Sequence, residues 1–230
     1  MTCPLCGRGG AGPYFDDRHR RYLECGGCRL VFVPPEYWPT SDREKARYDQ
    51  HRNSPDDTGY RAFLQDAVLA VRPRVPPPAN GLDFGSGPGP TLSVMLEEAG
   101  YAMALFDPYY APDPSVLQRP YDFVTCTEVV EHLRAPAEVF PRLAALLRPA
   151  GWLVVMTRLL PARDDFPTWR YRRDDTHLCF YSESTFEHVA RSLGCRLERA
   201  APDVFALQVP SRRTASAEHG SISARRIPRP

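Results

Sequence analysis

Four cysteines near the start of the chain stand in two Cys-x-x-Cys pairs, Cys3-Pro4-Leu5-Cys6 and Cys25-Gly26-Gly27-Cys28, with 18 residues between the pairs. Each pair makes a tight turn that aims two thiolates at one ion. Gly7, Gly26 and Gly27 supply the backbone freedom such turns need. The spacing fits a tetrahedral zinc ribbon with Cys3, Cys6, Cys25 and Cys28 as ligands to Zn2+. Four protein ligands leave no open coordination position, so the ion's role is structural. Redox pairing of the same cysteines is the alternative.

The second chemical feature is a glycine loop, Leu82-Asp83-Phe84-Gly85-Ser86-Gly87-Pro88-Gly89, placed between a short apolar run and a helical one. Glycines let the backbone approach a ligand and adopt positive φ. The passage from strand to helix is where an open α/β sheet binds its ligand. A dinucleotide fingerprint needs Gly-x-Gly-x-x-Gly. Here Gly85, Gly87 and Gly89 alternate with single residues, and Pro90 stands where the third glycine belongs. A phosphate-cradling loop would need Gly-Lys-Ser/Thr, which is absent. The loop points to a nucleotide-like cofactor held in some other way.

Bulk properties restrict the rest. Hydrophobic residues make up 43% of the 230, enough for a real core, and the formal net charge is +1, so no global field argues for nucleic acid or a membrane surface. No apolar run reaches the length of a membrane span, and cysteines stand where a signal peptide would need an apolar stretch. The expected location is the cytoplasm, where thiols stay reduced and paired Cys-x-x-Cys motifs favour metal. Cys126, Cys179 and Cys195 read as ordinary buried thiols.

These features need elements to position them. Arg21–Glu24 and Arg29–Val33 read as the ribbon's strands, ended by Pro34-Pro35. Residues 41–50 read as a helix with Thr40 or Ser41 as N-cap and Glu44 available for a capping box. A second helix spans Thr58–Val71, with Tyr60, Phe63, Leu64, Ala67, Val68 and Val71 on one face, before a stiff proline linker. Strand and helix then alternate: strands at Gly81–Phe84, Ala102–Phe106, Asp122–Cys126 and Trp152–Thr157, helices at Pro90–Glu98, Ala137–Leu147 and Ser184–Leu193. Residues 158–181 are irregular. Alternation of this kind implies an α/β fold, a mostly parallel, Rossmann-like sheet covered on both faces. The closing strands, Arg196–Ala200 and Val204–Val209, are too close for a helical crossover and are expected to pair as an antiparallel hairpin at the sheet edge.

The stretch from Leu82 to Gly89 resembles motif I of the class I S-adenosylmethionine-dependent methyltransferases. The likeness continues at Ala104-Leu105-Phe106-Asp107-Pro108, at Tyr121–His132, at Leu147-Arg148-Pro149-Ala150-Gly151-Trp152-Leu153, and at Thr176–Ser182 followed by Leu193-Gly194. It covers residues 79–200, with its parts in the expected order. The resemblance implies S-adenosylmethionine as cofactor, against the loop residues Gly85, Ser86, Gly87 and Gly89. Asp107, followed by Pro108, stands where a carboxylate accepts both hydroxyls of the ribose. Asp83 stands where an acid orients the amino group, and Thr127 and Glu128 beside the methionine part. The structural alternatives are a turn residue for Asp107, a local loop bond for Asp83 and a helix N-terminal acid for Glu128. The implied organisation is a zinc ribbon over 1–35, a helical lid and linker over 36–78, the methyltransferase domain over 79–210 and a disordered tail over 211–230.

One departure stands out. Only 13 residues, four of them proline, separate Asp107 from Tyr121, where the family usually places a helix and an edge strand. That length leaves no room for both, so the edge strand is expected to be missing or vestigial. The acid that usually meets the adenine goes with it, leaving Tyr109 or Tyr110 to cover the ring.

A methyl group on a sulfonium arrives activated, so the protein must hold the acceptor in line and exclude water. Oxygen and carbon acceptors also benefit from a base near neutrality, and histidine suits that. His177 is the first candidate and His132 the second; bracing and packing are the respective alternatives. His51, Tyr48 and Tyr60 are weaker candidates for covering the cofactor. Two motifs are set aside. Asp107-Pro108-Tyr109-Tyr110 is close to the Asn/Asp-Pro-Pro-Tyr of enzymes that methylate base amino groups, but it follows the wrong strand and lacks the second proline. Thr125-Cys126 lies on the wrong strand for the nucleophile of RNA cytosine-C5 methyltransferases.

The expected activity is methylation of a small-molecule acceptor at O or C, a sugar or another metabolite. Some relatives that act on sugars carry a similar cysteine ribbon. So do some ribosomal RNA methyltransferases, with different spacing. An RNA methyltransferase using the ribbon and the arginines of 158–173 and 212–229 is therefore the alternative, and a non-catalytic zinc-ribbon adaptor the second alternative. No membrane partner is expected.

Overall fold

The chain begins with three short antiparallel strands, β1 (Gly12–Asp16), β2 (Arg21–Glu24) and β3 (Val31–Phe32), in a computed structural model that describes residues 1–50 and 53–211. Most of the expected tail, and His51, lie outside the described residues. Helix α1 (Ser41–Tyr48) starts where Thr40 accepts the Arg43 amide, and α2 (Thr58–Val71) where Asp57 accepts those of Gly59 and Tyr60. The apolar face of α2 buries Leu64, Ala67, Val68 and Val71.

The alternating part follows: β4 (Asn80–Phe84), α3 (Thr91–Glu98), β5 (Ala102–Phe106), β6 (Tyr121–Thr127), α4 (Pro136–Ala145), β7 (Leu147–Met156), β8 (Cys179–Phe180), α5 (Glu183–Leu193), β9 (Arg196–Ala201) and β10 (Val204–Gln208). The main sheet has the order β5-β4-β6-β7-β10-β9. Its first four strands are parallel, β10 runs antiparallel to β7 and β9 antiparallel to β10, so the closing hairpin stands at the edge. Helix α5 opens with a capping box between Ser182 and Thr185 and closes on Gly194 at φ 63°. One buried apolar cluster runs from Leu82 through Val124 and Val155 to Phe205. A second joins α2 and α3 to Phe123, Trp152 and Val154, and a third gathers Tyr22, Val31, Phe166 and Phe180.

The shortened region behaves as its prolines require. Between β5 and β6 the chain makes a 3-10 turn at Pro114–Gln118, and β5 is the edge of the sheet. Among the described residues no helix is long and apolar enough to cross a membrane.

Two expectations are corrected. The ribbon is more than two strands: β1 pairs with β2, and β3 pairs with β8, Val31 opposite Phe180 and Phe32 opposite Cys179. Part of the segment read as irregular thus completes a four-stranded sheet, order β1-β2-β3-β8. Two-residue strands carry no periodicity, so β8 exists only because β3 offers it an edge. Glu44 does not close a capping box. It is fully buried, and its carboxylate accepts bonds from Tyr48, Tyr109 and Arg134.

Candidate active site

The glycine loop leaves β4 in left-handed backbone, with φ of 81° at Gly85 and 64° at Gly87. At Gly85 a β-carbon would stand 2.3 Å from Val129 Cγ2, so this position needs glycine for space as well as conformation. At Gly89 a β-carbon would stand 1.9 Å from the carbonyl oxygen of Asn53. The loop is thereby pressed between the segment after β6 and the segment before α2.

Asp107, at the end of β5, ties the loop to its neighbour. Its Oδ2 accepts the Gly87 amide at 3.0 Å, and its Oδ1 accepts those of Tyr109 at 2.8 Å and Tyr110 at 3.0 Å. Asp83 is a brace beneath the loop: its oxygens accept the hydroxyls of Thr125 at 2.9 Å and Ser93 at 3.1 Å. Burial pushes its carboxyl up to about 6.

A cavity of about 350 Å³ opens over these residues. Asp83, Gly85, Ser86, Gly87, Gly89, Asp107, Pro108, Thr127, Glu128, His132 and His177 all line it, so every cofactor and catalytic candidate faces one space. Tyr109 and Tyr110 line it too and are tied to α1 and its end, Tyr109 Oη donating to Glu44 at 3.3 Å and Tyr110 Oη to Asp49 at 2.7 Å. Tyr48 lines it from α1, its ring edge-on to His132 at 5.3 Å.

Three residues lining this cavity carry a buried oxygen, Ser86 Oγ, Thr91 Oγ1 and Glu128 Oε1, that has no hydrogen-bond partner among the described residues. Buried polar atoms rarely stay unpaired. Three together, around a glycine loop and a carboxylate, fit a polar cofactor such as S-adenosylmethionine.

The far wall is a dense polar cluster. His132 Nδ1 lies 3.0 Å from the Thr176 carbonyl, and His177 Nδ1 lies 2.7 Å from that of Tyr171. A carbonyl only accepts, so each Nδ1 carries a proton and donates it there. Burial and the neighbouring His132 push His177 down to about 3. The two rings meet edge-on at 4.7 Å. Fully buried Glu131 accepts the hydroxyls of Thr157, at 3.0 Å, and Tyr171. Glu128, at φ 53°, shares the Tyr171 hydroxyl at 3.2 Å, and burial together with the Glu131 charge pushes its carboxyl up to about 9.

Sequence reasoning missed Glu131 and Tyr171 in this cluster, and Glu44 behind it. Glu131 stands beside His132 in the stretch after β6, and that adjacency was the available signal. Tyr171 carried none, because it lies in the irregular segment and arrives by tertiary packing.

At the other end of the chain, the four ribbon cysteines converge. Their sulfurs all lie within 4.8 Å of one another, with Cys3 to Cys28 and Cys6 to Cys25 each at 3.5 Å. Sulfurs about 2.3 Å from one tetrahedral ion stand about 3.8 Å apart. The cluster has the compactness a four-thiolate metal site requires.

A family model described as a methyltransferase domain matches residues 57–200. Over 37 residues, 16% of either chain, the protein is 43% identical to the ubiquinone biosynthesis O-methyltransferase of Burkholderia multivorans. Among solved structures, an O-methyltransferase family protein from Burkholderia thailandensis aligns over 74% of this chain and 64% of its own, at 16% identity and a TM-score of 0.49. The chain thus spans less than two thirds of either of these two proteins. The 1,6-didemethyltoxoflavin-N1-methyltransferase of the same species aligns over 87% of this chain and 100% of its own, at 15% identity and a TM-score of 0.48. The family match covers the segment that supplies the glycine loop, Asp107 and both histidines, and the protein belongs to this methyltransferase-domain family.

Proposed function

We propose that the protein is an S-adenosylmethionine-dependent methyltransferase acting on a small-molecule acceptor at oxygen or carbon, such as a sugar or another metabolite. The observation that carries this reading is the convergence on one cavity of Gly85, Gly87, Asp107 and three unpartnered buried oxygens. In this reading the amides and hydroxyl of Gly85, Ser86, Gly87 and Gly89 hold the cofactor's polar groups. Asp107 takes the ribose hydroxyls, with Pro108 fixing the turn. Tyr109 or Tyr110 covers the adenine, and Asp83 keeps the floor in place. Thr127 and Glu128 face the methionine part. The bound cofactor supplies a methyl group already activated on sulfur.

His177 and His132 face the acceptor. Their Nε2 atoms orient an acceptor hydroxyl by hydrogen bonding; His177, held down to about 3, is too weak a base to keep its proton near neutrality, and burial of the surrounding rings excludes water. A second cleft, of about 490 Å³, shares Asp174 and His177 with the cofactor cavity and is lined by Arg47, Arg158, Arg170, Arg173, Trp169 and Tyr171. We take it as the acceptor's entrance. Arg47 is paired with Asp174 and Arg158 with Asp203, so Arg170 and Arg173 are the guanidinium groups that favour an acceptor bearing a carboxylate or phosphate.

The ribbon is proposed to hold one structural Zn2+ through Cys3, Cys6, Cys25 and Cys28. Its role is to lock β2 and β3, which in turn hold β8 and the loop carrying His177. The RNA reading is less well supported. Of the five arginines between 158 and 173, Arg158 pairs with Asp203, Arg163 with Glu24 and Arg172 with Asp17, which leaves Arg170 and Arg173, a pair rather than a basic stripe.

Calorimetric titration of zinc-loaded protein with S-adenosylmethionine tests the reading: saturable binding at one site is expected, and no binding would sink it. Methyl transfer to a metabolite extract against total RNA then separates the two acceptor classes.

A further inference from the structure

Glu131, His132 and His177 offer one carboxylate oxygen and two imidazole nitrogens that all lie within 4.8 Å of one another, and all three residues are buried. Ligands on one ion at about 2.1 Å stand up to about 4.2 Å apart, so a small closure of the cluster brings them onto a common centre. The supporting contacts are those a metal site needs. Each histidine donates its Nδ1 proton to a backbone carbonyl, Thr176 O at 3.0 Å and Tyr171 O at 2.7 Å, which orients the ring and leaves Nε2 bare. Glu131 is held by the hydroxyls of Thr157 and Tyr171.

The charge balance points the same way. A fully buried carboxylate needs a counter-charge. Among the described residues Glu131 has His132, at 3.9 Å from Nε2, as its ion-pair partner, and no arginine or lysine. A cation held by the three ligands supplies that counter-charge directly.

We propose that Glu131, His132 and His177 bind a divalent transition-metal ion inside the cofactor cavity, with its remaining positions open to an oxygen of the acceptor. Two imidazoles and one carboxylate suit Zn2+, Fe2+, Co2+ or Ni2+ better than Mg2+ or Ca2+, which prefer oxygen ligands throughout. The site rests on the proposed acceptor pocket and deepens it. With the ion bound, the lone pairs that would meet the acceptor directly hold the metal, and the acceptor binds through it.

The test adds Co2+ to the full chain after its ribbon has been filled with Zn2+ and excess metal removed. Calorimetry and visible absorption are expected to show one further equivalent per chain, without the thiolate-to-cobalt charge-transfer band that ribbon exchange would produce. His132→Gln and His177→Gln should each weaken that binding by roughly 10-fold or more. No further equivalent in the wild-type protein would overturn the proposal, whatever the variants do. So would unchanged Co2+ binding in the double variant. S-adenosylmethionine titration of the same samples separates the two readings. Cofactor binding without cobalt overturns only the metal site. Cobalt binding without the cofactor supports the metal site and overturns the methyltransferase reading.

Discussion

Arg20, just ahead of β2, donates through Nη1 to the carbonyl oxygen of His177 at 3.2 Å. The same guanidinium also reaches the carbonyls of Arg172, Asp174 and Asp175, and through Nε the hydroxyl of Tyr22 at 2.8 Å. One buried side chain from the ribbon thus organises the backbone of the loop that carries the proposed acceptor-facing histidine. Together with the pairing of β3 and β8, it makes the ribbon a structural part of the site.

Replacing Arg20 should therefore be costly. Arg20→Ala leaves several carbonyls without their donor, at about 1–3 kcal/mol for each group that stays buried and unpaired. A loss of about 3 kcal/mol or more is expected by chemical denaturation. Arg20→Lys should not restore it, because an ammonium cannot reproduce the planar fork of donors. Wild-type stability in the lysine variant would show that charge alone matters.

Removal of the ribbon metal should be felt beyond the ribbon. Chelation is expected to speed amide exchange at Val33, whose N–H bonds to the Leu178 carbonyl at 2.8 Å, and along β8. Faster exchange limited to the two cysteine turns would mean that β3 and Arg20 hold the loop unaided.

Two glycines of one loop should respond differently to alanine. Gly87 has left-handed backbone, but a β-carbon added there would meet no atom of the described residues within 4 Å, so Gly87→Ala should cost about 1–2 kcal/mol. Gly85→Ala adds the overlap with Val129 to a similar backbone cost, for roughly 2–5 kcal/mol in total. Denaturation midpoints of the pair decide, and equal losses would contradict the steric argument.

Asp107→Ala removes a carboxylate proposed to take the ribose hydroxyls. Charge-assisted bonds contribute about 1.5–3 kcal/mol each, so the dissociation constant for S-adenosylmethionine should rise by roughly 10-fold to 100-fold or more. Calorimetry reads this directly, and unchanged affinity would reassign Asp107 to shaping the turn alone.

Glu44 gives stability a pH dependence. Burial, only partly offset by Arg134, raises its carboxyl from the ordinary 4.5 to about 7 in the folded protein. The folded state then holds a proton that the unfolded state has released between these values. The contribution is fully present below pH 4.5 and is lost as pH rises through about 7, in total about 3 kcal/mol. Glu44→Gln should remove this slope, so that its stability relative to wild type improves from pH 4.5 to 7. Parallel stability curves for the two proteins would refute the assignment.

Local patterns carried much of this architecture. Helix α2 occupies the Thr58–Val71 span its apolar period predicts, and the loop from Gly85 to Gly89 lies between strand and helix, as its glycines and flanking runs require. The proline-rich stretch after Asp107 excluded an extra strand, and β5 is accordingly the sheet edge. Such features were legible because periodicity, caps and proline act over a few consecutive residues. The partners of individual side chains were not. Glu44 looks like a capping acid from its place three residues after Ser41, yet folding buries it against Tyr109 and Arg134. β8 is two residues that become a strand only beside β3. His132 and His177 are each candidates by residue type and position, but nothing in their separate neighbourhoods says that their rings meet at 4.7 Å around Glu131. The sequence by itself determined the order of the alternating strands and helices, the glycine loop and the pairing of cysteines, since these are properties of neighbouring residues. The closing of the ribbon onto the His177 loop, and the gathering of two histidines and a buried carboxylate in one cavity, were decided only by tertiary packing, which sets distances between segments far apart in the chain.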